Sequence, residues 1–150
     1  MEQRLRDRVA LACPPSEAQA RIERFFATRT GEDGVAHVSL RVPMHGVGPL
    51  PSIALEQPVD VTIRRDRDEE NLNDLLRIAW KPQNGPYPTF EGTLVTYRDP
   101  ESGSTMVELD GTYDAPLSDA GNVFDKTIGH EIARRTATDL LQRIATFATH

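Results

Sequence analysis

The sequence lacks several features that mark whole classes of protein. It has one cysteine, Cys13, so no disulfide can form within the chain, as is usual for proteins of a reducing compartment. It has no apolar run near the roughly 20 residues that span a bilayer. Its N-terminus lacks the apolar stretch of a signal peptide. We therefore expect a soluble, cytoplasmic protein without stable membrane insertion.

The sequence also lacks a basic segment. Lysine and arginine number 17 against 23 aspartate and glutamate residues, which gives a net charge of −6. Binding to nucleic acid or to an anionic membrane surface depends mostly on clustered positive charge. We therefore expect no nucleic-acid partner. The 150 residues are enough to bury a core, so we expect a single domain over residues 1–150.

The last third of the chain has the clearest pattern. From Leu117 to Phe147, apolar residues recur three or four positions apart and most charges fall between them, which predicts one long amphipathic helix. About thirty residues correspond to roughly 45 Å. The stripe consists of Ala120, Phe124, Ile128, Ile132, Ala133, Ala137, Leu140, Leu141, Ile144, Ala145 and Ala148.

The earlier part of the chain alternates apolar and polar residues in short runs. These runs predict strands at 5–12, 35–42, 58–65, 76–80, 89–98 and 106–113. A short helix is predicted after Pro14-Pro15, with Ser16 as its N-cap and Gln19 at capping-box spacing. Residues 43–57 are predicted to form a loop, with a weak strand near 53–55. Short polar turns favour an antiparallel sheet of about six or seven strands, whose apolar face needs the long helix as cover.

This α+β order resembles the START-like, or helix-grip, superfamily (SRPBCC, the polyketide cyclase/dehydrase and lipid-transport group). The resemblance rests on Pro14-Pro15, Trp80, the segments 87–92 and 109–117, and on Gly121, Asp125, Gly129 and Ile132-Ala133. It implies a START-like domain over nearly the whole chain. It also implies a curved antiparallel sheet wrapped on the C-terminal helix, with a cavity for a lipid or other apolar molecule between them. These motifs are structural and identify no subfamily.

Alternation and helical spacing predict which side chains face such a cavity. The predicted wall consists of Val38, Leu40, Val61, Ile63, Ile78, Trp80, Phe90, Leu94, Phe124, Ile128 and Ile132. Apolar walls are typical of small-molecule sites, but the same positions also suit a filled core. The favoured function is a binding protein for an unidentified hydrophobic or amphipathic small molecule, lipid-like or polyketide-like.

No motif specifies catalysis, a metal or a cofactor. His130-Glu131 begins like the helix signature of zinc proteases, but Arg134 stands where the second histidine ligand is required. A solvated helix face with a Glu131–Arg135 pair is the better interpretation. Cys13 is interpreted as a buried or half-buried thiol and not as a nucleophile. We therefore predict no catalytic residue, no metal site and no cofactor, and favour a protein that is not an enzyme.

Two alternatives stay open. A cyclase- or hydratase-type enzyme would require at least two polar groups to converge in the cavity, from among Glu108, Asp110, His37, Tyr97 and Tyr113. Alternation in the last strand places Glu108 and Asp110 towards solvent, and only the reversed register would bury them. The other alternative is a non-enzymatic domain that meets a partner through a sheet edge or the long helix. The sequence leaves the oligomeric state open.

Overall fold

The computed structural model describes residues 2–43, 54–70, 73–83, 88–114 and 126–149. The strand, helix, strands, helix order expected from the sequence is present. The elements are β1 (Glu2–Leu11), α1 (Pro15–Ala27), β2 (Ala36–Pro43), β3 (Ala54–Arg67), β4 (Asp74–Pro82), β5 (Thr89–Arg98), β6 (Thr105–Asp114) and α2 (Lys126–Ala148).

The six strands form one antiparallel sheet in the order β1-β6-β5-β4-β3-β2. Both edge strands, β1 and β2, contact α2, so the sheet curls around the helix. The prediction of a curved antiparallel sheet on a C-terminal helix, with a short helix after the first strand, is confirmed.

The inner face of the sheet and one side of α2 form the core. The 23 residues of α2 span about 35 Å. Within its described part, the predicted apolar stripe is confirmed by the buried side chains of Ile132, Ala133, Ala137, Leu140, Leu141, Ile144 and Ala148. Helix α1 covers the end of α2, where Phe25 meets Phe147 edge to face at 5.7 Å. Arg21 also donates to the carbonyl oxygen of Ala148, which satisfies a helix-terminal acceptor.

Two local predictions are wrong. Ser16 is not the N-cap of α1, because the helix begins at Pro15 after an extended Pro14, with no side-chain cap. Proline suits this first helical position because its missing N–H would have no partner there. The predicted loop is wrong at residues 56–57, because β3 begins at Ala54, where the weak strand near 53–55 was predicted. The rest of the predicted loop, at 44–53, and the predicted start of the long helix, at 117–125, lie outside the described residues.

Two glycines allow β5 and β6 to approach closely at their middle. Gly92 lies directly opposite Gly111 in a register that runs unbroken from Thr89↔Asp114 to Arg98↔Thr105. A Cβ atom on Gly92 would overlap the carbonyl oxygen of Asp110 and lie 2.7 Å from the Cα atom of Gly111. Because the register has no bulge here, the close approach of the two backbones is the reason for glycine at both positions.

Gly92→Ala and Gly111→Ala should each destabilise the fold by about 2–3 kcal/mol, because the added methyl group meets backbone that cannot rotate away. Urea denaturation monitored by circular dichroism measures this loss. Gly31→Ala is the matched control, since its nearest neighbour is the Asp33 side chain at 3.2 Å, which can move. Equal midpoints for all three variants and the wild type would contradict the close-approach explanation.

Candidate functional site

A row of inward-facing residues crosses the sheet where it meets the first half of α2. The row is built by direct cross-strand pairing, so its members are neighbours by register and not by sequence. Its order from β2 to β1 is Ala36, Val61, Trp80, Phe90, Tyr113 and Gln3. The row is therefore apolar at the β2 end, aromatic in the middle and polar at the β1 end.

The aromatic middle of this row is a stacked pair. The rings of Trp80 and Phe90 lie 4.4 Å apart at an interplanar angle of 19°. Both side chains are buried. The Phe90 ring lies over Gly111, whose missing side chain leaves it room. Aromatic cover of a glycine on the neighbouring strand is a known way to fix register and ring position.

The polar end joins three elements through the hydroxyl group of Tyr113. The oxygen of this hydroxyl lies 2.7 Å from Nδ1 of His130 on α2 and 3.2 Å from Oε1 of Gln3 on β1. Tyr113 is 1% exposed, and burial raises the pKa of its hydroxyl, so the group stays protonated at neutral pH. The hydroxyl has one hydrogen to donate. When it donates this hydrogen to Oε1 of Gln3, its oxygen accepts from His130, and Nδ1 of His130 must then carry a hydrogen.

The described walls leave little space at this point. A cavity of about 10 Å³ is enclosed by Leu5, Trp80, Pro88, Phe90, Tyr113, Ala133 and Thr136. This volume holds one water molecule at most. The Thr136 hydroxyl already donates to the carbonyl oxygen of Ile132 at 2.6 Å. A larger guest therefore requires these walls to move apart.

The predicted wall residues are mostly inside the protein, but only two line this cavity. Buried side chains are Val38, Leu40, Val61, Ile78, Trp80, Phe90, Leu94 and Ile132, and Ile63 is partly buried. Trp80 and Phe90 line the cavity, whereas Val61 and Ile63 line a separate groove beside α1. Phe124 and the side chain of Ile128 lie outside what the structure describes. The role of this set as a ligand wall stays a prediction.

The polar groups required by the enzyme alternative do not converge. Asp110 lies on the outer face, where it binds Arg4 and Arg6 at 2.9 Å each, as the solvent-facing register predicts. The hydrogen bond from Arg4 is the main cause that lowers the pKa of this carboxyl group. Tyr97 is also on the outer face and accepts a hydrogen bond from Arg8 at 3.3 Å. Of the five predicted groups, Tyr113 alone faces the helix.

His130 is the functional candidate that the sequence interpretation missed. The Glu131–Arg135 pair is confirmed at 3.3 Å, but His130 itself turns towards Tyr113 and not towards solvent. The signal was present, because His130 precedes Ala133 by three positions and Ala137 by seven. Those intervals place it on the buried side of the helix.

Three other features are seen among the described residues. Cys13 is partly buried, and burial raises the pKa of its thiol, which fits the predicted half-buried thiol. Within residues 2–43, 54–70, 73–83, 88–114 and 126–149, no three acidic, histidine or cysteine side chains come together in a way that suits a metal ion. In the same ranges, neither helix has the length and apolarity required to cross a bilayer.

Solved structures share this architecture. Protein TTHA0849 from Thermus thermophilus matches with a TM-score of 0.51 and 16% identity, over 98% of this chain and 97% of that one. The ZhuI aromatase/cyclase from Streptomyces sp. R1128 matches with a TM-score of 0.55 and 13% identity, over 99% and 94%. This chain has the helix-grip fold. No protein-family model and no curated protein matches its sequence. The helix-grip likeness therefore extends to the fold alone.

His37, one of the predicted acid–base groups, instead forms part of a surface cluster outside the grip. Its Nδ1 lies 2.8 Å from Asp60 and its Nε2 lies 3.3 Å from Asp33. The hydrogen bond to Asp60 is the main cause that raises the pKa of His37. The stabilisation from protonated His37 is therefore complete below about pH 6.5, the unfolded value, and is lost as the pH rises through the folded value.

The pKa of His37, followed by NMR titration of its ring, should lie above about 6.5 and fall in Asp60→Asn. Asp66→Asn is the control, because Asp66 binds Arg77 elsewhere on the outer face. An unchanged titration in Asp60→Asn would show that the Asp60 contact does not set the pKa.

Proposed function

We propose that this protein binds a hydrophobic or amphipathic small molecule, lipid-like or polyketide-like, between its sheet and α2, in the cytoplasm. The observation that carries this proposal is the cross-strand row, which brings a stacked Trp80–Phe90 pair next to the buried Tyr113–His130 contact. A planar ring system with one polar substituent is complementary to that arrangement.

The apolar part of such a ligand would contact the aromatic pair. Trp80 and Phe90 each offer a large flat surface, and aromatic rings favour offset-stacked or edge-to-face contacts with other rings. Both rings border the small cavity beneath α2. A flat ring inserted there would replace contacts that the two side chains now make with the facing wall by contacts of its own.

The polar part of the ligand would meet Tyr113. This hydroxyl is protonated at neutral pH, so it can donate to a ligand carbonyl or hydroxyl oxygen. The ligand would then take the place of Gln3, whose contact at 3.2 Å is the longer of the two. A buried polar group must keep a partner, which makes an apolar ligand a poorer fit at this end of the row.

The small volume of the cavity requires the protein to change conformation when a ligand binds. Because the described walls enclose only about 10 Å³, binding must be coupled to movement of α2 against the sheet or to movement of the aromatic side chains. Trp80 forms one of these walls. Its environment should therefore change whenever the site is filled.

An enzyme of the cyclase or hydratase type is the second candidate. The Tyr113–His130 contact favours it, because a protonated tyrosine and a neighbouring histidine supply a donor and a base for proton transfer at a ligand carbonyl. The similar fold of an aromatase/cyclase supports the same idea. Turnover of a polyketide-like substrate that is lost in Tyr113→Phe, with binding retained, would favour this candidate over the carrier.

Trp80 is the only tryptophan, so its fluorescence reports on the site. Titration with naringenin, a hydroxylated flavanone, should give a saturable change. Tyr113→Phe should weaken this binding about three- to tenfold, as expected for one hydrogen bond of 0.5–1.5 kcal/mol. Anthracene, a planar hydrocarbon without a hydrogen-bonding group, should bind the variant and the wild type alike.

Tyr97→Phe is the matched control, because it removes a tyrosine hydroxyl from the outer face. It should leave both titrations unchanged. A wild-type protein without a saturable response to either naringenin or anthracene would contradict the proposed site for planar ligands. Equal weakening by both phenylalanine variants would contradict the role of Tyr113.

A further inference from the structure

Two buried polar groups on the wall of the small cavity beneath α2 are only partly satisfied by the protein. Trp80 of β4 and Thr136 of α2 both line this cavity, and their exposed fractions are 4% and 6%. Buried polar atoms in proteins nearly always have a hydrogen-bond partner, and an unpaired one costs stability. Each of these two side chains therefore calls for an explanation.

Trp80 contributes an unpaired donor. Within the described ranges of the chain, its indole Nε1–H has no hydrogen-bond acceptor, and the side chain instead stacks on Phe90. Indole N–H groups usually find an acceptor when they are buried. The N–H group is therefore free to bind an acceptor atom that enters the cavity.

Thr136 contributes an unpaired acceptor. Its hydroxyl hydrogen is used within α2, in the bond to the carbonyl oxygen of Ile132 at 2.6 Å. Among the residues that the structure describes, none donates to its oxygen. The neighbouring buried positions Ala133, Ala137 and Leu140 are apolar. Valine has nearly the same shape as threonine, so packing does not require a hydroxyl group at this position.

The two unpaired groups border the same space, and one ligand group can satisfy both. The cavity of about 10 Å³ has the size of a hydroxyl group. A hydroxyl oxygen can accept from Nε1–H of Trp80, and its hydrogen can be donated to the oxygen of Thr136. A carbonyl oxygen has no hydrogen for the second contact, and a ring N–H has no acceptor for the first.

We propose that Trp80 and Thr136 together bind a hydroxyl group of the ligand, so that the ligand of this site is a planar phenol. The inference rests on the proposed function, in which the ring of the ligand contacts the Trp80–Phe90 pair. It adds a second polar contact to the one with Tyr113, whose hydroxyl already has partners in Gln3 and His130. Trp80 then contacts the ligand both through its ring and through its N–H group.

Naphthalene, 2-methoxynaphthalene and 2-naphthol test the proposal, because they share a ring system and differ in its oxygen substituent. By isothermal titration calorimetry, 2-naphthol should bind at least about tenfold more tightly than naphthalene, since each added hydrogen bond contributes about three- to tenfold. The oxygen of 2-methoxynaphthalene can accept but not donate, so this compound should gain at most the Trp80 contact.

The indole N–H of Trp80 gives a direct measurement of its own contact. Trp80 is the only tryptophan, so the ¹H–¹⁵N NMR spectrum has a single indole cross-peak. The indole proton should move further downfield with 2-naphthol than with naphthalene, which supplies the ring-current effect without the hydrogen bond.

Variants of Thr136 measure the other contact. Thr136→Val should weaken 2-naphthol binding about three- to tenfold and leave naphthalene binding unchanged, so the ratio of the two affinities reports the lost hydrogen bond and not a change in folding. Thr136→Ser keeps the hydroxyl group and should keep the ratio. Thr146→Val is the matched control, because Thr146 donates to the carbonyl oxygen of Gln142 at 2.9 Å but lies on the exposed side of α2.

The outcomes separate this inference from the proposed function. Equal wild-type affinities for naphthalene and 2-naphthol, or an unchanged ratio in Thr136→Val, would overturn the inference alone if naringenin still binds. A ratio lost in Tyr113→Phe and kept in Thr136→Val would place the hydroxyl group at Tyr113. A wild-type protein that binds neither naringenin nor any of the three naphthalene compounds would contradict the proposed function and this inference with it.

Discussion

Closure of the curled sheet on α2 is the constraint on which the rest of the structure depends. An antiparallel sheet of six strands has two edges, and exposed edges invite pairing with other chains. Here one turn of α2 holds both edges. Thr138 donates to Asp7 of β1 at 2.7 Å, and the next residue, Asp139, accepts from the backbone N–H of Arg41 in β2 at 2.8 Å. Small side chains at Ala133 and Ala137 let the helix lie close to the strands, so the inner face is buried along most of its width. Two polar contacts therefore hold the sheet on the helix over an apolar interface, and the candidate site lies beneath the first half of α2.

This tight closure leaves little space beneath α2. The side chains interdigitate there, and the described walls leave only about 10 Å³ beside the aromatic pair. Protein interiors are close-packed, so a ligand that enters beneath α2 must replace protein–protein contacts with its own. The site can therefore be selective for ligand shape.

Sequence patterns predicted the parts of this fold that follow from local rules. Alternation placed Val61, Trp80 and Phe90 on the inner face and Asp110 on the outer face, and helical spacing found the stripe on α2. Each of these predictions uses only the repeat of apolar residues within a single strand or helix. The features that the sequence did not predict depend on register between elements. Gly92 meets Gly111, and Tyr113 meets Gln3, because of pairings between strands that are far apart in the chain. His130 reaches Tyr113 only because α2 lies in one rotation against β6.

The charge that a ligand can carry is decided by the buried end of the row. With a net charge of −6, the protein as a whole repels anions. At the Tyr113 end, the polar groups that face a ligand are a protonated hydroxyl and an amide, and burying an unpaired anion there would be costly. The site therefore favours a neutral planar ligand over an anionic one.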